Sequence, residues 1–318
     1  MFEHILVPLD GSSLAECVLP HVIALATIRD ARVTLLRVLE EAGTPDEGPF
    51  TRPLDAHLDH VIARAYLGEV AGRLSQAGLM VETVTANGPA AAEIVAYAQQ
   101  NDVDLIVMSS HGQGGLSDWN TSSVVQKVAS RAYQSMMIVR AYVPARSEGK
   151  IVTYRRLLVP LDGSRRAECV LPRAVSLARA HNAELVLAHV VRSPEIPDRL
   201  WADEEERCLL EQLAACQQRW AGRYLEEVQK HLAVEAEVAL EVGADVPGTL
   251  QSLTETRAFD LVMMSAHGYS GSPRRIYGSV TTNLIGYSRM PLLVVQDFEG
   301  EQLVPLQAEL AIRERQGH

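Results

Sequence analysis

Short apolar runs alternate with longer amphipathic stretches along the whole chain. The first run, His4–Leu9, is rich in branched side chains and stops at Asp-Gly-Ser, which is typical of a buried strand and its exit turn. The next stretch, Ser12–Ile28, has apolar residues at helical spacing, with Ser12 or Ser13 as N-cap and Glu16 placed for a capping box. This alternation predicts strands separated by helices, and therefore a parallel sheet covered on both faces.

Each half of the chain gives the same series of predicted elements. In the first half, the predicted strands are His4–Leu9, Arg32–Leu39, Met80–Ala86, Leu105–Met108 and Met136–Ala141, and the predicted helices are Ser12–Ile28, Ala56–Gln76, Ala90–Gln100 and Ser122–Tyr133. In the second half, strands are predicted near 156–161, 183–191, 234–242, 260–264 and 291–296. We expect an α/β fold of two tandem, open, parallel five-stranded sheets with helices on both faces. In such sheets, ligands bind at the carboxyl ends of the strands.

Two sequence motifs occur twice, in the same order. Residues 5–20 return as residues 157–172 with thirteen of sixteen positions identical, and residues 104–112 return as residues 260–268 with six of nine identical. We therefore expect two copies of one domain, at residues 1–141 and 154–297, joined by a linker at 142–153 and followed by a polar tail at 298–318. The apolar last strands of the two copies are the expected contact between them.

Charge and composition narrow the classes of function. The 318 residues carry a formal net charge of −11, which argues against nucleic-acid binding because that function needs a basic surface. No stretch has the roughly 18 apolar residues of a membrane span, and the first apolar run is too short for a signal peptide. The four cysteines give no C-x-x-C pair for zinc or redox chemistry. We expect a cytoplasmic protein that binds neither nucleic acid nor membrane.

The second copy carries a glycine-rich loop, at residues 264–281, that leads into a predicted helix. Glycines let backbone N–H groups approach an anion, and the N-terminus of the helix adds unpaired donors and the positive end of a dipole. Ser279 and Thr281 add hydroxyl donors, and Arg274 and Arg275 add charge. The loop predicts a phosphate site, although it lacks the Gly-Lys-Ser/Thr of a Walker loop and such loops also serve simply to turn the chain.

These motifs together resemble the universal stress protein family in its tandem-domain form. The resemblance rests on Val-Pro-x-Asp-Gly-Ser early in each copy, Asp-Leu-x-x-Met-x-x-His-Gly later, and Gly-Ser nine residues after that in the second copy. The family motif is Gly-x-x-Gly, nine residues, then Gly-Ser/Thr. The second copy matches it at Gly268, Gly278 and Ser279 and has Ser265 at the first glycine. The resemblance implies a Rossmann-like fold of the adenine nucleotide alpha hydrolase type.

The resemblance also implies an ATP site in the second copy, with ADP or AMP as alternatives and Mg²⁺ bound with the nucleotide. Asp162 is expected on the ribose or beside the phosphate-bound metal, and Val190 and Met264 are expected around the adenine. The implied binding residues are Pro160, Asp162, Val190, Met264, Ser265, Gly268, Gly278, Ser279, Val280 and Thr281. Because family domains pair in homodimers, a dimer of tandem chains is expected, and its protein partner is unknown.

The first copy matches the family motif less well, and we expect a degenerate site there. The equivalent residues are Pro8, Asp10, Val38, Met108, Gly112, Ser122 and Ser123. Ser122 stands where the second copy has Gly278, and its side chain is expected to obstruct close backbone approach. Asp118 and Trp119 replace the two arginines, which places a carboxylate where a triphosphate would lie.

Several of these residues also have structural explanations. Asp10 and Asp162 are equally suited to cap the helix that follows. His111 and His267 are candidate general bases, yet each lies between a strand and a glycine, which favours a hydrogen-bonded structural role. For one further group, a solvated helix face is a better explanation than a metal site: Asp55, His57, Asp59 and His60.

Two classes of function follow. The first is an ATP-binding stress or signalling module with at most slow hydrolysis, because no residue is an evident base for attack by water. The second is a nucleotide-free tandem scaffold that acts through protein partners or another small ligand. Gly278 and Ser279 favour the first class, whereas the serines at the first glycine position favour the second. A Ser-His-Asp hydrolase fits poorly, since the Gly-x-Ser-x-Gly motif is missing.

Overall fold

A computed structural model describes residues 1–40, 52–111, 121–141, 152–193, 203–269 and 275–297. For residues 52–56, only the backbone is described. Some of the sequence predictions lie outside these residues. They concern the loop after Glu40, most of the linker, the tail at 298–318, Gly112, Asp118, Trp119, Arg274 and the side chain of Asp55.

Each half of the chain contains five strands with helices between them, as the hydrophobic pattern predicts. The strands are β1 (His4–Pro8), β2 (Arg32–Leu39), β3 (Val81–Asn87), β4 (Leu105–Ser109), β5 (Ser135–Val139), β6 (Arg156–Pro160), β7 (Glu184–Arg192), β8 (Ala236–Gly243), β9 (Leu261–Ser265) and β10 (Leu292–Val295). The helices are α1 (Leu19–Ala26), α2 (Arg52–Gln76), α3 (Ala90–Gln100), α4 (Ser123–Ala129), α5 (Leu171–His181), α6 (Glu204–His231), α7 (Val246–Thr256) and α8 (Ser279–Tyr287).

Pro20 divides the first predicted helix. A 3-10 turn spans Ala15–Val18, and α1 begins at Leu19 with Pro20 in its first turn. Proline lacks an N–H group and clashes with the preceding turn, so an α-helix accepts it only at its start. The second half repeats this arrangement, with a 3-10 turn at Ala167–Val170 before α5. The prediction of one continuous helix over Ser12–Ile28 was therefore wrong.

Predicted caps and boundaries differ in detail. Ser12 Oγ accepts a hydrogen bond from the Ala15 N–H at 3.1 Å, but the N-cap of the 3-10 turn is Leu14, which differs from the predicted Ser12 or Ser13. Glu16 pairs with Arg73 (2.6 Å) in place of the predicted capping box. α2 begins at Arg52, earlier than predicted, and α4 ends at Ala129, earlier than predicted. Boundaries of this kind are set by tertiary contacts that local periodicity does not contain.

The two five-stranded sheets join edge to edge into one ten-stranded sheet. The strand order is β3-β2-β1-β4-β5-β10-β9-β6-β7-β8. Neighbouring strands within each half run parallel, and β5 pairs with β10 antiparallel, with Met137 opposite Leu293. Both strands are buried along their whole length. The expected contact between the last strands is confirmed. It pairs one edge strand of each five-stranded sheet, so these two edges are no longer open to another strand.

Helices cover both faces of this sheet and enclose two apolar layers. α1, α2, α5 and α6 pack on one face, and α3, α4, α7 and α8 pack on the other. Tyr154 is fully buried between the halves, with its hydroxyl 2.8 Å from His21 Nδ1 and its ring against His181. Burial lowers the pKa of His21 to about 4. Within the described ranges, none of the helices is long and apolar enough to cross a membrane.

Candidate functional site

The turn that follows β6 forms one wall of the candidate site. Gly163 has a φ of +85°, which favours glycine, and the chain reverses there immediately after Asp162. Asp162 Oδ1 accepts hydrogen bonds from the N–H group (3.0 Å) and the hydroxyl (2.7 Å) of Ser164. Ser164 Oγ in turn accepts one from the Ala167 N–H at 3.1 Å. One oxygen of Asp162 therefore holds the turn, and Ser164 caps the helical turn that follows.

The second carboxylate oxygen of Asp162 reaches the loop after β9. Asp162 Oδ2 accepts a hydrogen bond from the Tyr269 N–H at 2.5 Å. It also lies directly over Gly268, where an added Cβ would stand 2.0 Å from it. A residue with a side chain at 268 would displace this carboxylate. The two repeated sequence motifs, Asp-Gly-Ser and His-Gly, thus meet in space.

A cavity of about 580 Å³ lies at the carboxyl ends of β6, β7 and β9, opposite the N-terminus of α8. Its volume suits a small-molecule ligand, and its position is the one where open parallel α/β sheets bind ligands. It is lined by all ten residues predicted for the second copy: Pro160, Asp162, Val190, Met264, Ser265, Gly268, Gly278, Ser279, Val280 and Thr281. The structure brings these residues together, and their role in binding stays a prediction.

The end of the cavity at α8 offers hydrogen-bond donors. α8 begins at Ser279, and Gly278 stands at the N-cap without a side chain to satisfy the first N–H groups. Unpaired N–H groups and the helix dipole at this point favour an anion. Thr281 differs from the prediction, because it is buried and its hydroxyl donates to the Ser265 carbonyl at 3.1 Å. Among the described residues, Ser279 lines this end of the cavity and offers a hydroxyl.

His267 is held by hydrogen bonds at both ring nitrogens. Nδ1 lies 2.8 Å from Asp297 Oδ1, and Nε2 lies 2.6 Å from the Arg275 carbonyl oxygen. Both ring nitrogens therefore already have hydrogen-bond partners within the protein. A ring that is held in this way is poorly placed to take a proton from an attacking water. His267 therefore has the structural role that its place in the sequence favoured.

Asp297 joins His267 to the first helical turn of the second copy. Its carboxylate also accepts a hydrogen bond from Arg166 Nε at 2.5 Å. Burial works to raise the pKa of Asp297, but the hydrogen bonds from His267 and Arg166 outweigh it and the net pKa is lowered. The first copy has Leu14 and Ala141 at the places of Arg166 and Asp297. This group of three residues, Arg166, His267 and Asp297, therefore belongs to the second copy.

Sequence reasoning missed the part of the cavity wall that α7 supplies. Asp245 caps α7, accepting a hydrogen bond from the Gly248 N–H at 2.8 Å, and Pro247 lies in the first turn. Both line the cavity, with Val246 and Leu250 beside them. An Asp-x-Pro sequence directly after a strand is a helix-start signal, and the parallel topology places such starts at the ligand edge. That signal, applied to residues 245–247, would have found this wall.

The first copy has a cavity of about 550 Å³ at the equivalent place. Among the residues predicted there, those within the described ranges all line it: Pro8, Asp10, Val38, Met108, Ser122 and Ser123. Ser122 caps α4, its Oγ accepting a hydrogen bond from the Val125 N–H at 3.4 Å. The first copy therefore has a cap where the second copy has Gly278 and open donors.

Different side chains flank the Asp-Gly turn in the two copies. In the first copy, Arg37 lies over Gly11, where an added Cβ would stand 2.1 Å from its guanidinium. In the second copy, Trp220 lies over Gly163 and stacks on Tyr224, with ring centroids 5.7 Å apart. His189 meets the edge of Trp220, and burial lowers the pKa of His189. The Asp-Gly turn of the second copy is therefore covered by an aromatic ring, whereas Arg37 lies over the turn of the first copy and lines its cavity.

Two further observations concern clusters of metal-binding side chains and the cysteines. In the part of the chain that the structure describes, no group of three or more His, Cys, Asp or Glu side chains is placed to hold a metal ion. His57 and Asp59 lie on the exposed face of α2, in line with a solvated helix. The cysteines are free, and burial raises the pKa of Cys17 and Cys169. These two thiols are therefore poor nucleophiles at neutral pH.

Comparison with known proteins gives matches over both halves. A sequence model of the universal stress protein family matches residues 1–140 and 153–296. Universal stress protein MJ0577 of Methanocaldococcus jannaschii is 28% identical over 155 residues, covering 44% of this chain and 96% of that protein. Universal stress protein YxiE of Bacillus subtilis is 29% identical over 148 residues, covering 44% of this chain and 100% of that protein. A solved structure of a universal stress protein from Archaeoglobus fulgidus superposes on this chain with a TM-score of 0.65 and 20% sequence identity. The superposition covers 93% of this chain and 98% of the Archaeoglobus chain.

Proposed function

The chain belongs to the universal stress protein family, and on that premise we propose that its second half binds an adenine nucleotide, ATP with Mg²⁺, as a stress or signalling module. One observation carries the proposal: ten residues from four separate sequence segments line a single cavity beside an open helix N-terminus. This cavity offers an apolar side for a base and a donor-rich end for phosphates, which are the two needs of a nucleotide.

The residues divide into three groups by the part of the nucleotide they suit. Val190 and Met264 give an apolar surface for the adenine. Gly278, Ser279 and the first N–H groups of α8 suit the phosphates. Asp162 is exposed at the mouth and suits the ribose hydroxyls or the magnesium ion. Mg²⁺ commonly takes one carboxylate together with phosphate oxygens and water, so a single aspartate fits a metal that arrives with the nucleotide.

The proposal assigns at most slow hydrolysis to this site. A hydrolase needs a base within hydrogen-bond reach of the attacking water. His267 lines the cavity, and both of its ring nitrogens are already hydrogen-bonded to protein groups. Binding, and the change of state that follows from it, is therefore the proposed activity. A cytoplasmic location and a dimer of tandem chains belong to the same proposal.

The two copies are proposed to differ in affinity. Ser122 and Gly278 occupy equivalent places, because their N–H groups donate to the carbonyls of Ser110 and Ala266, each at 2.8 Å. The hydroxyl of Ser122 takes an N–H group of α4 that a phosphate would otherwise use. Binding is therefore proposed in the second copy, and the first copy is proposed to be degenerate.

Calorimetric titration of the nucleotide-stripped chain with ATP and Mg²⁺ tests this function. We expect about one site per chain, an affinity at least tenfold weaker in Asp162→Ala, and an unchanged affinity in the matched control Asp10→Ala. A larger effect in Asp10→Ala would place the site in the first copy. If ATP, ADP and AMP all give no heat of binding, the nucleotide-free scaffold is favoured instead. Ser265, which stands in place of the first glycine of the family motif, also fits that alternative.

A further inference from the structure

In the N-terminal half of α6, which we call the overhang, none of the described side chains is fully buried. This helix has 28 residues, yet its buried side chains, Ala221 and Leu225, both lie in its second half. The helix starts in a capping box, in which Asp203 accepts from the Glu206 N–H and Glu206 accepts from the Asp203 N–H. By itself, a helical segment shorter than about 12–15 residues is only marginally stable in water. The overhang therefore calls for a packing partner.

An apolar stripe runs along this overhang. It consists of Leu209, Leu213, Cys216 and Trp220, spaced by four, three and four residues, which is the spacing of a coiled-coil seam. Leu209, Leu213 and Trp220 are exposed by 59%, 51% and 48%. At 100° per residue, the stripe lies roughly 130° around the helix from the buried pair. Within the described residues, the protein body meets the stripe at Trp220, which lies over Gly163 and stacks on Tyr224 but stays 48% exposed.

We propose that this stripe packs antiparallel against the same stripe of a second copy of the chain. A two-fold axis beside residues 214 and 215 sets Leu213 against the partner's Cys216, and Leu209 against the partner's Trp220. The seam is then closed by apolar contacts along four helical positions.

Charge complementarity fixes the antiparallel direction. The start of α6 is acidic, at residues 203–206, whereas Arg219 and Arg223 lie at the far end of the stripe. Glu206 and Arg223 are both exposed and flank the seam symmetrically. Antiparallel pairing sets Glu206 beside the partner's Arg223 at both ends and opposes the two helix dipoles. Parallel pairing would set four acidic residues against four others.

Helix α6 is better suited than the sheet or α2 to bind a second copy of the chain. β5 and β10 pair with each other inside one chain, so these two strand edges are closed to a second copy. α2, the equivalent helix of the first half, exposes Leu58, Val61 and Ile62, a shorter patch within two helical turns. α6 therefore offers the longer seam, and the proposal gives the expected homodimer a defined interface that does not depend on nucleotide.

Light scattering during size-exclusion chromatography, without nucleotide, is the first test. We expect a dimer for the full chain at tens of micromolar, and at least a tenfold rise in the dimer dissociation constant for Leu213→Glu. The matched control is Val61→Glu, which changes a side chain of equal exposure on α2 and should leave the dimer intact. A monomeric wild-type chain, or a dimer that Leu213→Glu leaves unchanged, would overturn the proposal.

A disulfide trap tests the direction and the register. In a Cys208→Ser background, Leu213→Cys should cross-link to the partner's Cys216 under mild oxidation, giving a dimer on non-reducing gels. Neither Leu213→Cys with Cys216→Ser nor native Cys216 alone should cross-link, because only the 213–216 pair is adjacent. Glu211→Cys, on the opposite side of the helix, is the control. Cross-linking through Cys216 alone would show a parallel seam and contradict the proposal.

Discussion

Gly278→Ser is the substitution that most sharply separates folding from ligand binding. It gives the second copy the residue that the first copy has at Ser122. The structure has room for it: an added Cβ at 278 would stand 3.5 Å from the Ala266 carbonyl oxygen and 3.7 Å from His267 Cα, which are ordinary contacts. Exchange of glycine for serine at an N-cap changes stability by only a few tenths of a kcal/mol. We therefore expect an unchanged fold and a melting temperature within about 2 °C of the wild type.

The same substitution should weaken nucleotide binding. As Ser122 does with Val125, a serine at 278 would take the N–H group of Thr281 and remove one donor from the phosphates. A hydrogen bond to a charged group contributes about 1.5–3 kcal/mol, so the dissociation constant should rise by roughly tenfold or more. Calorimetry with ATP and Mg²⁺ measures it, with Ser122→Gly as the reciprocal variant. Wild-type affinity in Gly278→Ser would refute the assignment of phosphates to the start of α8.

Three further predictions concern the scaffold. Asp297→Asn should lower the free energy of unfolding by about 2 kcal/mol at pH 7, because His267 and Arg166 lose their charged acceptor. Since the pKa of Asp297 is lowered in the fold, its contribution is fully present above about pH 4 and is lost as the pH falls through the lowered pKa, so the urea midpoints of variant and wild type should draw together as the pH is lowered below about 4. The fold keeps His21 neutral down to about pH 4, whereas the unfolded chain takes up a proton there below about pH 6.5. The free energy of unfolding of the wild type should therefore fall by up to about 3 kcal/mol between pH 6.5 and pH 4. An equal fall in His21→Gln would contradict this assignment. Arg140→Met should lower the free energy of unfolding in urea by about 2 kcal/mol. The reason is that the buried guanidinium donates hydrogen bonds to two carbonyls in the last turns of α8, at 3.4 and 3.1 Å. An unchanged urea midpoint would show that these contacts do not stabilise the junction of the halves.

Most of the fold and much of the candidate site could be predicted from the repeated motifs. Short apolar runs and helical periodicities predicted each strand of the sheet, because burial on both faces leaves a strong local signal. The clustering of Asp162, Gly268 and Gly278 followed from one topological rule about the carboxyl ends of parallel strands. Side-chain partners within the site were less predictable, as Thr281 shows: its hydroxyl bonds a strand carbonyl that lies sixteen residues away in sequence.

Other features depend on contacts between distant segments. Nothing local to Asp297 shows that it meets His267 and Arg166, since the three residues come from three elements. The stripe on α6 was visible as a spacing, but its significance depends on which side of the helix the sheet covers. The break before α1 was locally encoded, because Pro20 stands at a position where only a helix start accepts proline.

A crystal structure of the chain grown with ATP and Mg²⁺ tests the central claim most directly. We expect nucleotide in the second copy, with its base between Val190 and Met264 and its phosphates at Gly278 and Ser279, and an empty cavity beside Ser122. Nucleotide in the first copy with the second empty, or both cavities empty at saturating ATP, would contradict the claim that the second half is the nucleotide module.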